Sequence, residues 1–456
     1  MTSDVLTLLE GYRSGALSPV EVVQESLARI EAQDPALRAF LHVSAEAASI
    51  AAHASAERWR RGAIAGPLDG IPIAHKDILA TTDAPTTGHS RLCAEWRPAR
   101  DASVVARLRS AGAVSLGKTN LSEFACGSMD VRGMPVNPWR EGTYAGGSSG
   151  GSATAVAAGL VSAATGTDTA GSIRVPAAFC GLVGVKPTWG LVSNDGVIPL
   201  SWSMDTVGPM TRTVRDAAYL LAHMADPDVF ARQRPGEALT DFVPPVEGTA
   251  AGLRVGVPVE HFFDGLAAPV EAAVRRSLTM LEEDGAELIE VRLPLAGHLT
   301  AAGSVLVMSE GYAVHERALA TSPESYGSRT RRRLVAGGSY DVHDVHRART
   351  IAAAWRAEFD RALGGVDVIV TPTLPHTAFS FERQDQAPPD TSWGTRHANL
   401  AGTPAITLPC GLDPDGLPIG VQVFAPRFGE RMAFHAARCL ERVIGFEARP
   451  SLEARA

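Results

Sequence analysis

Gly146-Gly147-Ser148-Ser149-Gly150-Gly151-Ser152, an alanine-rich run to Ala164, and then Gly166-Thr167-Asp168-Thr169-Ala170-Gly171-Ser172-Ile173-Arg174 form the stretch from which the rest of the chain is read. Two serine-bearing glycine turns bracket one apolar element that reads as helix. Glycine admits positive φ and close backbone approach, so each turn can expose a hydroxyl beside free N–H donors. That is the outline of a nucleophile site. A flexible linker is a poor reading, because the first turn runs straight into the apolar helix-formers Ala153 to Ala164. A phosphate cradle of the P-loop type needs Gly-Lys-Ser/Thr, and no lysine is present here. The nucleophile elbow of α/β-hydrolases matches Gly146-x-Ser148-x-Gly150 and Gly147-x-Ser149-x-Gly151. It also wants a strand directly before it, and Trp139 to Tyr144 does not read as one.

A serine nucleophile needs a base. The stretch holds no histidine; the nearest are His75, His89 and His223. The chain carries 42 Lys+Arg, yet its only lysines are Lys76, Lys118 and Lys186. A guanidinium cannot lose its proton at working pH, whereas a buried ammonium can. A lysine kept in such a chain is a candidate base, and Asp69 to Ile73 reads as a turn into a short buried strand that ends near Lys76. Strand ends are where α/β sheets keep their chemistry. Lys118 and Lys186 read as structural hydrogen-bonding groups.

Several motifs in order now carry a resemblance. They are Leu68-Asp69-Gly70-Ile71-Pro72-Ile73-Ala74-His75-Lys76-Asp77, Gly117-Lys118-Thr119-Asn120-Leu121-Ser122-Glu123-Phe124, the two glycine-serine turns, and Val175-Pro176-Ala177-Ala178-Phe179-Cys180-Gly181-Leu182-Val183-Gly184-Val185-Lys186-Pro187-Thr188. Together, with 24 residues separating Ser148 from Ser172, they resemble the amidase signature family, most specifically from about Gly70 to Val214. The resemblance implies a three-layer α/β/α fold with a twisted mixed central β-sheet, and a Ser–Ser–Lys triad. Ser172 would attack an amide carbon to form an acyl-enzyme, Ser148, after a cis peptide bond, would relay the proton, and Lys76 would be the base, neutral because burial disfavours its charge. Backbone N–H groups of Thr169, Ala170, Gly171 and Ser172 would form the oxyanion hole. Ser149 would donate hydrogen bonds to the triad, Asp168 and Arg174 would brace the turns, and Gly147, Cys126, Gly127 and Ser128 would border the substrate.

Three departures bear on the substrate. Many members carry glycine where this chain has Ala170, although some branches share the alanine. The loop from Gly127-Ser128 to Asn137-Pro138 is short. Ser392 stands where the glutaminase component of tRNA-dependent amidotransferases has an aspartate for the glutamine amino group, which argues against glutamine. The resulting expectation is an amidase that cleaves a small amide to a carboxylic acid and ammonia or amine, with no metal or organic cofactor. The alternative is the A (glutaminase) component of a tRNA-dependent amidotransferase. A binding protein with a dead site is disfavoured by retention of all three triad residues.

The remainder fits one amidase domain over 1–456, with N-terminal helices to 65 and a part from about 250 that completes the sheet and pocket. The chain has 456 residues, 45% hydrophobic, and a net charge of −8, without a block of five basic residues. Direct nucleic-acid binding is therefore not expected. A basic-plus-apolar leader and an 18-residue apolar run are both lacking, so the reading is cytoplasmic, with no membrane partner. Five scattered cysteines suit reduced thiols. A homodimer is compatible with the sequence but not specified by it.

Ser18-Pro19-Val20-Glu21 reads as a helix start with Val22, Val23, Leu27 and Ile30 at helical spacing. Helix is also expected from Ser103 to Ala111, at 268–284 and at 430–443. Strands are expected at Ala113–Leu116, Leu253–Val257, Glu287–Val291 and Val366–Val370. Pro404 to Pro409 and Pro418 to Phe424 read as a hairpin across Asp413-Pro414-Asp415-Gly416, and 226–249 as a surface excursion. His315, Arg331, Arg332, Arg333, His343, His346 and Arg347 could supply an anion-binding arginine, and Trp202 or Trp393 an aromatic wall.

Overall fold

A computed structural model describes residues 4–126, 133–386 and 389–451. Its strands are β1 Phe40–Val43, β2 Pro72–Lys76, β3 Val114–Thr119, β4 Ala163–Asp168, β5 Val183–Lys186, β6 Thr206–Thr211, β7 Arg254–Pro258, β8 Glu287–Val291, β9 Val368–Pro372, β10 Ala405–Leu412 and β11 Pro418–Phe424. All join one sheet in the order β1-β3-β2-β4-β6-β5-β10-β11-β9-β7-β8. The sheet is mixed: β3, β2 and β4 are parallel, the run from β4 through β6, β5, β10 and β11 to β9 is antiparallel, and β9, β7 and β8 are parallel again.

Period-2 alternation sends successive side chains to opposite faces, and both faces are covered by helices. In β9, Val368 and Val370 join one apolar cluster while Ile369 joins another. The first cluster draws on helices Val214–Met224, Ala268–Glu283 and Glu430–Ile444, the second on Leu299–Thr321 and Val342–Gly365. A third packs Pro19–Leu37, Ala45–Arg61 and Gly150–Ala157 against β2, β3 and β4. The architecture is α/β, a mixed sheet between helical layers. Among the described residues no helix is long and apolar enough to cross a membrane.

The local starts and stops follow the chemistry of the chain. Ser18 caps Pro19–Leu37 by accepting the Val20 N–H. Asp413 accepts the N–H groups of Asp415 and Leu417, folding the β10–β11 connection. Two expectations are corrected. The run 153–164 is not one helix: the helix Gly150–Ala157 ends, the chain turns at Gly159 with φ +69°, and β4 begins at Ala163. Alanine is acceptable to either structure, so the strand pairing on both edges of β4 decides. The strand expected at 113–116 continues to Thr119 and takes Lys118 into its interior, because β1 and β2 pair along that length. The 226–249 segment runs over the surface, largely exposed, and is anchored at two points. Asp226 caps helix Pro227–Gln233, and the buried rings of Phe230 and Phe242 meet edge-on at 5.1 Å, with Phe242 next to Phe434.

Phe434 has no exposed surface. Phe434→Ala is expected to destabilise the protein by about 3–5 kcal/mol, read as a lower urea midpoint at unchanged m-value.

Candidate active site

β2 ends at Lys76 and β4 at Asp168, and the two run parallel side by side. Their carboxyl ends therefore open at the same edge of the sheet, where open α/β sheets place ligands. Lys76 has no exposed surface. Its Nζ donates to Ser148 Oγ and to Thr167 Oγ1, each at 2.7 Å. Burial pushes the Lys76 pKa down to about 7, against the opposing pull of the Asp205 and Asp168 carboxylates. Lysine here can lose and regain a proton near neutrality.

The two turns are stitched together. The Gly147–Ser148 peptide bond is cis, the Ser148 carbonyl accepts the Ser122 N–H at 3.0 Å, and the Ser149 N–H donates to the Ser172 carbonyl at 3.2 Å. Ser149 Oγ donates to the Thr167 carbonyl at 3.2 Å. Ser172 is half-buried at the pocket, and its hydroxyl has no hydrogen-bond partner among the described residues.

Beneath the second turn lies a buried charge network. The Arg174 guanidinium reaches both oxygens of Asp168, Nε to Oδ2 at 3.0 Å and Nη2 to Oδ1 at 3.1 Å, and also Asn399 Oδ1 at 2.8 Å and Gln422 Oε1 at 3.3 Å. Asn399 Nδ2 donates back to Asp168 Oδ1 at 2.9 Å. Burial pushes the Asp168 carboxyl up, but Arg174 and these hydrogen bonds outweigh it and hold the pKa at about 2. Asp168 Oδ1 also takes the Gly171 N–H at 2.8 Å. That donor is turned inward, which corrects its expected place in the oxyanion hole. The N–H groups of Thr169, Ala170 and Ser172 have no acceptor among the described residues. Gly171 is at φ +126°, and a Cβ there would lie 2.1 Å from Thr395 Oγ1, which itself donates to the Ala170 carbonyl at 2.6 Å. Only glycine fits.

A cavity of about 400 Å³ opens over these groups. Gly147, Ser148 and the turn Thr169–Ser172 form its floor. Ser122, Cys126 and Tyr144 form one wall, and Leu200, Val307 and Met308 an apolar one. Burial pushes the Cys126 thiol up, so it is a small apolar wall rather than a reactive group. Gly127 and Ser128 lie outside the described residues. Helix Ser328–Gly337 brings Arg329 and Arg333, one turn apart on one face, to the rim. Asp390 and Ser392 complete it.

Of the cationic residues singled out in 300–355, Arg333 is therefore at the pocket. Arg331 and Arg332 face solvent, Arg347 pairs with Asp344, and His315 is buried against the Tyr326 hydroxyl at 3.0 Å. His343 and His346 are exposed. Trp202 and Trp393 do not line the cavity; Trp393 packs on His261 at 4.8 Å. Lys118 is fixed by the Leu79 carbonyl, Thr86 and Asp77, and Lys186 by the Pro187 carbonyl. The inference from Ser392 against glutamine is corrected as well. A carboxylate is present two residues upstream: Asp390 lines the pocket and accepts the Ser392 hydroxyl at 2.7 Å, while Arg396 engages both Asp390 oxygens at 2.7 Å.

Thr167, Asp205, Arg329, Asp390, Thr395 and Asn399 are residues of the candidate site that sequence reasoning misses. Thr167 sits one residue before Asp168 inside the quoted turn. Asp205 is found only through the β4–β6 register, which places it beside Thr206, the partner of Asp168. Arg329 sits four residues before Arg333, a helical repeat that the run of arginines obscures.

A half-buried serine whose hydroxyl has no partner among the described residues, together with a desolvated lysine at the carboxyl edge of an α/β sheet, suits a hydrolase that works by acyl transfer. The comparisons narrow the class. The family model described as Amidase matches residues 21–434, and the chain belongs to this amidase signature family, enzymes that hydrolyse amide C–N bonds. It is 39% identical to the glutamyl-tRNA(Gln) amidotransferase A subunit of Chloroflexus aggregans, covering 96% of this chain and 95% of that one. With the same amidotransferase component of Anaeromyxobacter sp. (strain K) it shares 44% identity over 95% of each. The peptide amidase from Stenotrophomonas maltophilia is 33% identical with a TM-score of 0.88, covering 99% of both chains. These relatives overturn one expectation. Low basic charge argues against nucleic acid, yet the two amidotransferase components are named for a tRNA substrate and for an assembly. Charge over the whole chain does not report what an assembled enzyme acts on.

Removing Arg174 leaves Asp168 buried without its cation, so Arg174→Ala is expected to cost about 3–5 kcal/mol. Because the Asp168 pKa is depressed in the folded state, the stability it contributes is present above about pH 4 and lost as pH falls toward 2. Urea titrations from pH 6 to 2 should show that loss in the wild type and a smaller one in Arg174→Ala.

Proposed function

We propose that this amidase releases ammonia from a small amide carrying a free carboxylate, glutamine first, as the glutaminase component of an amidotransferase assembly. The observation that carries the proposal is the lining of the cavity: Arg329, Arg333 and Asp390 share it with Ser148 and Ser172. Guanidinium groups suit a carboxylate, so an amide that carries one is matched there, while Asp390, held by Arg396, offers a substrate amino group its remaining lone pairs rather than an unpaired charge. The names of the relatives support the same reading. In such an assembly the ammonia would pass to a partner chain acting on glutamyl-tRNA, and the enzyme would work in the cytoplasm.

In the proposed reaction Ser172 Oγ attacks the amide carbon while its proton passes to Ser148 Oγ, whose own proton goes to Lys76 Nζ. The N–H groups of Thr169, Ala170 and Ser172 receive the developing oxyanion. As the C–N bond breaks, Lys76 returns the proton through Ser148 and the nitrogen leaves as ammonia. Water then attacks the acyl-enzyme by the same relay, releasing the carboxylic acid and restoring Ser172. A base with a pKa near 7 suits both halves of the cycle. A second reading, an autonomous amidase with no partner, is favoured by the likeness to the peptide amidase over the full chain.

The test is ammonia release by the purified chain from glutamine, dicarboxylic monoamides, aliphatic amides and arylacetamides, with Ser172→Ala as the blank. It is repeated with partner subunits and glutamyl-tRNA. Glutamine turnover that rises with the partners supports the assembly reading; full turnover of another amide by the chain alone supports the second. The Arg329→Ala/Arg333→Ala double variant should raise KM for carboxylated amides about tenfold or more and leave neutral amides unchanged. Equal loss on both would contradict the role given to the rim.

A further inference from the structure

We propose that Asp205 is a positioning residue for catalysis, supplying the uncompensated counter-charge to Lys76 and anchoring the oxyanion turn through Thr169. The inference rests on the proposed role of Lys76 as base. Asp205 is almost wholly buried, one residue before β6. Its Oδ1 accepts the Thr169 hydroxyl at 2.5 Å, and its Oδ2 accepts the N–H groups of Leu200 at 2.9 Å and Ser201 at 3.0 Å. The carboxylate is thus fixed on both oxygens: burial pushes its pKa up, and these hydrogen bonds, with Lys76, favour the charged form against that push.

The groups around Lys76 divide clearly. Ser148 and Thr167 are neutral hydrogen-bond partners. Asp168 closes β4 beside the end of β2 that bears Lys76, and Asp205 precedes Thr206, the β6 partner of Asp168, so both carboxylates stand at that edge and draw the Lys76 pKa up against its burial. Asp168 is already neutralised by Arg174 at 3.0 Å, whereas Asp205 has no ion-pair partner among the described residues. A carboxylate with no cation of its own is the one whose charge Lys76 feels most in a low-dielectric interior. Burial alone would push the lysine too far toward the neutral form, leaving a base that takes a proton poorly and an acid that is rarely loaded for the leaving nitrogen. Asp205 opposes that drift. The Thr169 hydroxyl makes the same carboxylate a peg for the turn whose Thr169, Ala170 and Ser172 N–H groups have no acceptor among the described residues, so base and proposed oxyanion hole are held by one group.

Asp205→Asn keeps the shape and removes the charge. The neutral form of Lys76 is then favoured further, so the acid limb of the kcat/KM profile, where activity rises as Lys76 loses its proton, should move to lower pH by about one unit. kcat should fall about tenfold or more. Thr169→Val removes the hydroxyl and leaves the charge: kcat should fall with the limb unmoved. Asp205→Glu restores the charge and should return the limb to its wild-type position. A limb unmoved in Asp205→Asn, with only kcat lowered, would reduce Asp205 to a structural role and overturn the proposal. If Asp205→Asn is insoluble, a shifted limb in Thr169→Val or Asp205→Glu overturns it instead. Lys76→Ala separates the two levels: retained turnover there defeats the role of Lys76 itself, while lost turnover beside an unmoved Asp205→Asn limb defeats the Asp205 proposal alone.

Discussion

Lys76 is a lysine without a water-facing atom, and the arrangement around it answers that constraint. Its ammonium is disfavoured by burial yet cannot be left without partners. Two hydroxyls take its hydrogen bonds, Ser148 from the first glycine-serine turn and Thr167 from β4. Two carboxylates temper the desolvation without forming a direct salt bridge to it, and a close carboxylate contact would have fixed the proton on Lys76. The result is a group poised near neutrality beside a cavity that no histidine among the described residues lines.

The sheet makes this arrangement possible. Parallel pairing of β2 and β4 puts Lys76 and Asp168 at one edge, and antiparallel pairing of β6 with β4 returns Asp205 to the same edge. The second half of the chain then closes the site from outside. Asn399 and Gln422 complete the Asp168–Arg174 network, Thr395 holds the Ala170 carbonyl, and helix Ser328–Gly337 carries the arginines of the rim. The proposed reacting groups come from residues 76 to 172, whereas much of the bracing and of the cavity lining comes from residues 200 to 422.

That division explains what could be read in the sequence. The serine turns, the scarce lysines and the amidase resemblance all lie in a compact run where chemistry needs particular residue types at particular spacings. The strands at 254–258, 287–291, 368–372 and 418–424 were legible from apolar alternation and turn chemistry. Asp205, Thr395 and Asn399 were not, because their roles arise from contacts across 36 to 231 residues. Alanine-rich 153–164 misleads because alanine carries no period that separates helix from strand, and Phe230 and Phe242 anchor a segment whose composition is that of a loop. Gly171 reads in sequence as one more oxyanion donor, and only the position of Asp168 Oδ1 turns its N–H inward.

With Lys76, Lys118 and Lys186 as its only lysines, the chain allows the central claim to be measured directly. Protein labelled with 13C at the lysine Cε would give three resonances to follow by NMR between pH 5 and 11, with Lys76→Met and Lys186→Met assigning them. The Lys76 signal is expected to titrate near 7 in the resting enzyme. A Lys76 signal that stays protonated to pH 10 or beyond would mean that the lysine is a fixed cation, and the proton relay described here would be wrong.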